Sequence, residues 1–197
     1  MTTLAQHKTR LRQQLRQRRQ RLSATERDAA ASMIAAHTLA LANWSQISSV
    51  AVYLTNDGEA DPLPLATLAL GQGKHLFLPV IQTDNSLRFA RWEPGDNLVE
   101  NKYGIGEPEP HIQPVSVATI DLLCMPVVGW SHDGTRLGMG GGFYDRTLEI
   151  PSDTTTLGLG FECQHCDEIP REPWDVSLQW IATEATLHQC SGDGVTR

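Results

Sequence analysis

The nine residues "IDLLCMPVV" (120–128) place the tightest constraint on how this 197-residue chain can fold. They are apolar almost throughout. A strand with one wet face would alternate apolar and polar residues, so an unbroken run belongs to a strand covered on both faces, as in a parallel sheet between helices. Shorter runs of the same kind are "SVAVYL" (49–54), "KHLFLPVI" (74–81), "TTLGLGF" (155–161) and "QWIATE" (179–184). "LRFARWE" (87–93) alternates, which predicts a more exposed strand. Helix signals lie between the strands. Leu4, Leu11, Leu15 and Leu22 recur at helical spacing, and "SATE" (23–26) is a capping box that opens a second helix running to about Asn43. Asp61-Pro62 supplies an N-cap and a first-turn proline for a helix ending near Gly71 and Gly73. Residues 94–119 predict a loop, "SHDGT" (131–135) a turn, and "YDRTLE" a short helix. The expected fold is therefore α/β: a largely parallel central sheet flanked by helices, with an N-terminal helical pair. We expect one domain over residues 1–187 and a disordered tail over 188–197.

Charge is unevenly spread. Residues 1–22 hold seven of the 16 Lys and Arg (Lys8, Arg10, Arg12, Arg16, Arg18, Arg19 and Arg21) and no acid, so a net charge of −7 leaves the remainder at −14. Such asymmetry raises nucleic acid as a partner. The acidic remainder, and the lack of aromatics among residues 1–22, argue against it. A solvated basic face is the first reading of the segment, and contact with the acidic rest of the chain the second. No apolar run is long enough to span a bilayer. The basic N-terminus has no apolar stretch behind it, unlike a secretory signal. Cys163 and Cys166 form a C-x-x-C, but no second pair completes a zinc set, so all four cysteines are expected as free thiols in a reducing cytoplasm.

The segment "RLGMGGGFYDR" (136–146) carries the chemistry. Four of its eleven residues are glycine, at a larger entropic cost than any other residue type would bring. It follows a strand and a turn and precedes a helix. In open α/β sheets ligands collect beyond the carboxyl ends of the strands, and glycine lets an anion approach backbone N–H groups. Arg136 and Arg146 add positive charge at either end. A tight glycine turn without a ligand is the alternative. The run is neither a Walker A motif nor a Rossmann fingerprint. A phosphate beside Asp145 points to Mg²⁺, which takes one or two carboxylates together with phosphate oxygens. Asp175, in "EPWDVSL" (172–178), is the candidate second carboxylate; a surface aspartate is its plainer reading.

These residues resemble the signature of the 5-formyltetrahydrofolate cyclo-ligase family, also called methenyltetrahydrofolate synthetase. Four more blocks, in the family's order, share the resemblance: "KTRLR" (8–12), "YLTNDGEAD" (53–61), "KYGIGEP" (102–108) and "EIPREPWDVSL" (168–178). The resemblance implies an ATP- and Mg²⁺-dependent enzyme that cyclises 5-formyltetrahydrofolate, with or without a polyglutamate tail, to 5,10-methenyltetrahydrofolate. Residue by residue, it implies that Lys8 and Arg12 contact ATP from the N-terminus, with Lys8 and Arg146 acting on the transferring phosphoryl group. The run Arg136, Leu137, Gly138, Met139, Gly140, Gly141, Gly142, Phe143, Tyr144 and Asp145 forms the nucleotide cradle. Asp145 and Asp175 are the metal positions. Leu54, Glu59, Tyr103 and Tyr144 contact the folate, Glu59 through the donor edge of the pterin and Tyr103 by stacking. Phe143 and Tyr144 stand where some members have Tyr-Tyr. Gly141 is expected where phosphate touches backbone, in a φ that valine resists. A monomer is expected. The competing readings are a non-catalytic nucleotide-binding regulator on the same fold and a nucleic-acid module led by the basic helix.

Overall fold

The computed structural model describes residues 3–191. Two helices come first, α1 (Leu4–Gln20) and α2 (Ala24–Thr38), each opening on a capping box, Thr3 with Gln6 and Ser23 with Glu26. They are followed by β1 (Ser49–Ala51), α3 (Leu63–Gly71), β2 (His75–Ile81) and β3 (Leu87–Arg91). A small hairpin of β4 (Leu98–Glu100) and β5 (Gly106–Pro108) precedes β6 (Leu122–Pro126). A second hairpin, β7 (Gly129–Trp130) and β8 (Arg136–Leu137), leads into α4 (Phe143–Thr147). The chain ends in β9 (Thr155–Leu159), β10 (Trp180–Ala182) and β11 (Leu187–Gln189).

Seven strands form one sheet in the order β11-β10-β9-β6-β1-β2-β3. The five inner strands are parallel, and only the edges β3 and β11 run antiparallel. The unbroken apolar run has a direct physical cause. Leu122 and Cys124 of β6 pack into the cluster built with α2 and α3, while Leu123 and Met125 pack into the cluster on the other face, which Phe143, Tyr144 and Leu148 help to close. Alternate side chains thus enter two different cores, and neither face is wet.

After β1 the chain adds β2 on one side, and β6 later enters on the other. This reversal creates a crevice beyond the carboxyl ends of β1 and β6, where open α/β sheets bind ligands. The two N-terminal helices take different places around it. Helix α2 packs on the sheet face with α3. Helix α1 lies over the strand ends, with Leu15 buried against Val128, Leu137 and Ile169.

Several boundaries differ from expectation. Helix α2 stops at Thr38, five residues before Asn43. The strand predicted from "SVAVYL" is regular only to Ala51, and its remainder curves away as the wall of the crevice. The loop predicted for 94–119 contains the β4–β5 hairpin. Pro62 takes the cap position of α3, and the Asp61 carboxylate accepts the Leu63 N–H at 2.9 Å. Residues 188 and 189, assigned to the tail, belong to β11, which pairs with β10; the rest of that expected tail, 192–197, lies outside the described residues.

Gly134 shows how tightly the β7–β8 hairpin is held. Its φ is +86°, and an added Cβ would lie 2.4 Å from the Leu178 carbonyl oxygen. The same segment is bound from Leu178 N–H to Gly134 O at 2.8 Å, so the obstacle is backbone and cannot swing aside. Gly134→Ala is expected to lower stability by about 1–3 kcal/mol, the usual range for forced overpacking. Urea unfolding checks this: the midpoint falls while the slope stays that of the parent.

Candidate active site

The wall of the crevice above β1 ends in a turn. Glu59 N–H donates to Asn56 O at 3.2 Å, and the two residues between, Asp57 and Gly58, have φ of 54° and 74°. Two left-handed residues in the centre of a turn define type I′. Gly58 accepts that conformation freely, whereas a residue with a Cβ is disfavoured by about 1–2 kcal/mol, least for Asp and Asn. Helix α1 holds Asp57 there. Arg16 Nε and Arg19 Nη2 donate to Asp57 Oδ2 at 2.6 and 2.7 Å, Arg19 Nη2 donates to Asp57 O at 2.8 Å, and Gln20 Nε2 donates to Oδ1 at 3.1 Å. The Arg16 hydrogen bond, with the Arg19 charge, holds the Asp57 carboxyl below its usual range. Arg19 is 0% exposed and also donates to Val127 O, at the carboxyl end of β6, at 3.4 Å.

The basic helix therefore answers to the acidic rest of the chain at Arg16 and Arg19, while Arg10, Arg18 and Arg21 stay exposed. Sequence reasoning missed Asp57 as the partner. A signal was present, because Lys8, Arg12, Arg16 and Arg19 follow one helical stripe at intervals of four, four and three.

Glu59 closes the turn with its own side chain, Oε2 accepting the Asn56 N–H at 3.0 Å. Burial pushes its carboxyl above the usual range, opposed by that bond and by the Arg19 charge. Tyr53 donates to Ala60 O at 2.6 Å. Burial, and then the charge of Glu59, push both the Tyr53 and Tyr144 phenols well up, so the three groups lie close enough for their charges to interact. A cavity of about 280 Å³ opens on Arg27, Asn56, Asp57, Gly58 and Glu59. A neighbouring cavity of about 340 Å³ is lined by Leu54, Leu63, Trp92 and Pro94, and the two share Thr55 and Asp61. Leu54 and Glu59 thus line adjoining cavities rather than one. Tyr103, at the tip of the β4–β5 hairpin, meets Phe143 edge-on with centroids 5.9 Å apart.

The glycine run directly precedes Phe143 and Tyr144. Gly140 and Gly142 have φ of 100° and 68°, whereas Gly141 is outside the left-handed region. The φ expected to resist substitution therefore belongs to its two neighbours, and a Cβ on Gly141 would instead strike the Phe143 ring at 2.5 Å. Among the described residues, the amides of Gly140, Gly141 and Gly142 donate to no protein atom. Arginines grip the carbonyls instead: Arg12 Nε donates to Gly138 O and Arg146 Nη1 to Gly141 O, both at 2.8 Å. Carbonyls tied back and amides left free suit an anion. Helix α4 has only five residues, so the loop amides rather than a summed helix dipole supply the attraction.

Arg136 is not the free flanking charge that was expected. Its Nη2 donates to Asp145 Oδ1 at 2.6 Å and its Nη1 to Val176 O, and Asp145 Oδ1 also accepts the Val176 N–H at 3.2 Å. Arg146 bonds only to carbonyls and is exposed. Lys8 Nζ reaches Asp175 Oδ2 at 2.5 Å, with both side chains largely buried, and the same oxygen accepts the Glu172 N–H at 2.9 Å. The two carboxylates singled out for metal thus meet on one segment, Asp175 within it and Asp145 bound to residue 176. Asp145 Oδ2 and Asp175 Oδ1 have no partner among the described residues. No cluster of three or more His, Cys, Asp or Glu able to hold a metal occurs among those residues. Two carboxylates fit a hard cation that takes its other ligands from phosphate and water.

Comparison with known proteins places the chain in a family. The profile of the 5-formyltetrahydrofolate cyclo-ligase family matches residues 4–184. The chain is 35% identical over 178 residues to the 5-formyltetrahydrofolate cyclo-ligase of Haemophilus influenzae, covering 88% of this chain and 95% of that protein. It is 34% identical over 178 residues to the Escherichia coli K12 enzyme of the same name, covering 88% and 98%. The solution structure of Aquifex aeolicus 5,10-methenyltetrahydrofolate synthetase superposes with a TM-score of 0.81 at 28% identity, over 96% of this chain and 95% of that one.

The turn carries an acid signature of its own. Because the folded-state pKa of Asp57 is depressed, its stabilisation is present in full above the unfolded value of about 3.9 and is lost as pH falls through the folded value. The stability gap between the parent and Asp57→Asn should therefore be wide near neutral pH and close progressively below about pH 4. Urea titrations of both proteins at stepped pH measure it. A gap that stays constant into acid would contradict the pairing.

Proposed function

The chain belongs to the 5-formyltetrahydrofolate cyclo-ligase family, and on that footing we propose that it closes 5-formyltetrahydrofolate to 5,10-methenyltetrahydrofolate, consuming ATP with Mg²⁺ and releasing ADP and phosphate. One observation carries the reading. A single helix, α1, presents Arg12 to the glycine loop and Lys8 to Asp175 at one end, and Arg16 and Arg19 to the turn of Glu59 at the other. On this reading a nucleotide half-site and a folate half-site lie side by side over the strand ends.

The chemistry needs both halves. The N5-formyl group is an amide, and its oxygen is a poor leaving group. Transfer of the terminal phosphoryl group of ATP to that oxygen gives an iminium phosphate. Nitrogen N10 then attacks the formyl carbon, the C–O bond breaks, phosphate departs, and the N10 proton is lost. Phosphoryl transfer asks the protein for position and charge rather than a nucleophile. The free amides of Gly140–Gly142 and the guanidinium of Arg146 answer that need. Lys8 and Arg12 add positive charge from α1. Mg²⁺, held by the free oxygens of Asp145 and Asp175, would neutralise charge on the phosphates. Lys8 and Asp175 are paired with each other, so nucleotide and metal would divide the pair, phosphate taking Lys8. On the folate side, Glu59 accepts from the pterin donor edge, Tyr103 offers a flat face, Leu54 an apolar wall, and Tyr144 borders both halves.

The engagement of Arg16 and Arg19 with Asp57 removes two cations from any nucleic-acid surface. All four cysteines are free thiols, which suits a reducing cytoplasm.

The defining assay follows the near-ultraviolet absorption of the methenyl product from 5-formyltetrahydrofolate and MgATP; no ATP-dependent product sinks the reading. Lys8→Ala and Arg146→Ala should each slow turnover by roughly 10²–10³-fold with the fold intact, the range for a lost electrostatic donor. Parent-like turnover of both at saturating ATP would remove them from the phosphoryl site. For Glu59→Gln, one acceptor becomes a donor facing donors, at a cost of about 1–3 kcal/mol in folate binding, with ATP affinity little changed. Because burial raises the Glu59 carboxyl, the ionised form is lost at a higher pH than for an ordinary carboxylate. Folate kcat/KM should fall on the acid side above the usual carboxylate range, and that limb should vanish in Glu59→Gln. Calorimetry with each ligand and a pH–rate profile decide both points.

A further inference from the structure

Asp57 touches neither the glycine loop nor the metal carboxylates, yet four hydrogen bonds from α1 converge on it. We infer that Asp57 is a positioning residue: its pairing with Arg16 and Arg19 fixes the Asn56–Glu59 turn so that the Glu59 carboxylate stays directed at the pterin. The inference rests on the folate reading of Glu59 given above.

Three observations support it. Residue 57 is left-handed, and the four hydrogen bonds from α1 hold Asp57 in that conformation. Glu59 is bound to the turn twice, through its N–H to Asn56 O and through Oε2 from the Asn56 N–H, so any opening at 57 is felt at the carboxylate. Arg19 is 0% exposed, and among the described residues its Nε has no partner and its one carboxylate partner is Asp57. Arg19 is also close enough for its charge to act on Glu59. If Asp57 loses its charge, the buried guanidinium is left with Glu59 as the remaining acid at the turn. It would draw that carboxylate away from the pterin.

The test uses the full chain. Asp57→Asn should raise the folate KM about tenfold while the ATP KM moves less than about twofold. Amide exchange at Asn56 and Glu59 should quicken about tenfold, a readout independent of folate. In Asp57→Asn/Arg19→Gln the competing buried charge is gone, and the folate KM should return at least partway, which a purely structural loss would not produce. A folded Asp57→Asn with a parent-like folate KM, or with unchanged exchange at both amides, overturns the inference. If Asp57→Asn does not fold, Arg16→Gln decides, since Arg16 is partly exposed: a folate KM raised about threefold supports the inference, and an unchanged one overturns it. A parent protein that makes no methenyl product defeats the folate reading instead, and the exchange data then judge the turn alone.

Discussion

The buried ion pair between Arg19 and Asp57 is the interaction on which the site depends. A guanidinium removed from water is strongly unfavourable unless a carboxylate and further acceptors surround it. Arg19 has Asp57 Oδ2, Asp57 O and Val127 O. Those partners come from the ends of two neighbouring strands, β1 and β6, at the point where the sheet reverses direction. Helix α1 can satisfy Arg19 only by lying across that reversal. Once it does, the rest of its stripe follows at helical spacing, and Arg12 and Lys8 arrive at Gly138 and Asp175.

The same logic explains the split of charge along the chain. The +7 of residues 1–22 and the −14 of the remainder are two parts of one folded structure, because the inward stripe of α1 meets acids far apart in sequence, Asp57 and Asp175. The nucleotide side is built in a related way. Arg136 is spent on Asp145 and Val176, and so locks the loop rather than facing a ligand. Arg12 and Arg146 tie back glycine carbonyls, which turns the amides outward. Positive charge here serves to shape the backbone of the loop.

Much of the fold could be read in advance. A parallel sheet covered on both faces leaves an unbroken apolar run, and residues 120–128 carried that mark. The capping box at Ser23 and the short helix after the glycine run were equally legible, since each is a local pattern with a local cause, whereas the cap assigned to Asp61 falls to Pro62. Weaker points were the ends of elements and the short hairpin at 98–108, whose three-residue strands are too brief to show a period. The left-handed positions in the glycine run were placed one residue off, because which glycine bends depends on where Arg12, Arg146 and Phe143 pack.

From the residues alone follow the fold class, the glycine-rich turn of the 136–146 segment and the resemblance that links it to Lys8, Glu59 and Asp175. These are encoded in residue types at short spacings, or in blocks carried in a set order. Folding alone brings about the pairing of Arg19 with Asp57, of Lys8 with Asp175 and of Arg136 with Asp145, and the division of Leu54 and Glu59 between adjoining cavities. A charged side chain does not name its partner in sequence. In a protein interior it takes the opposite charge that the strand order and helix placement bring within hydrogen-bonding reach, and that depends on contacts spanning up to 167 positions of the chain.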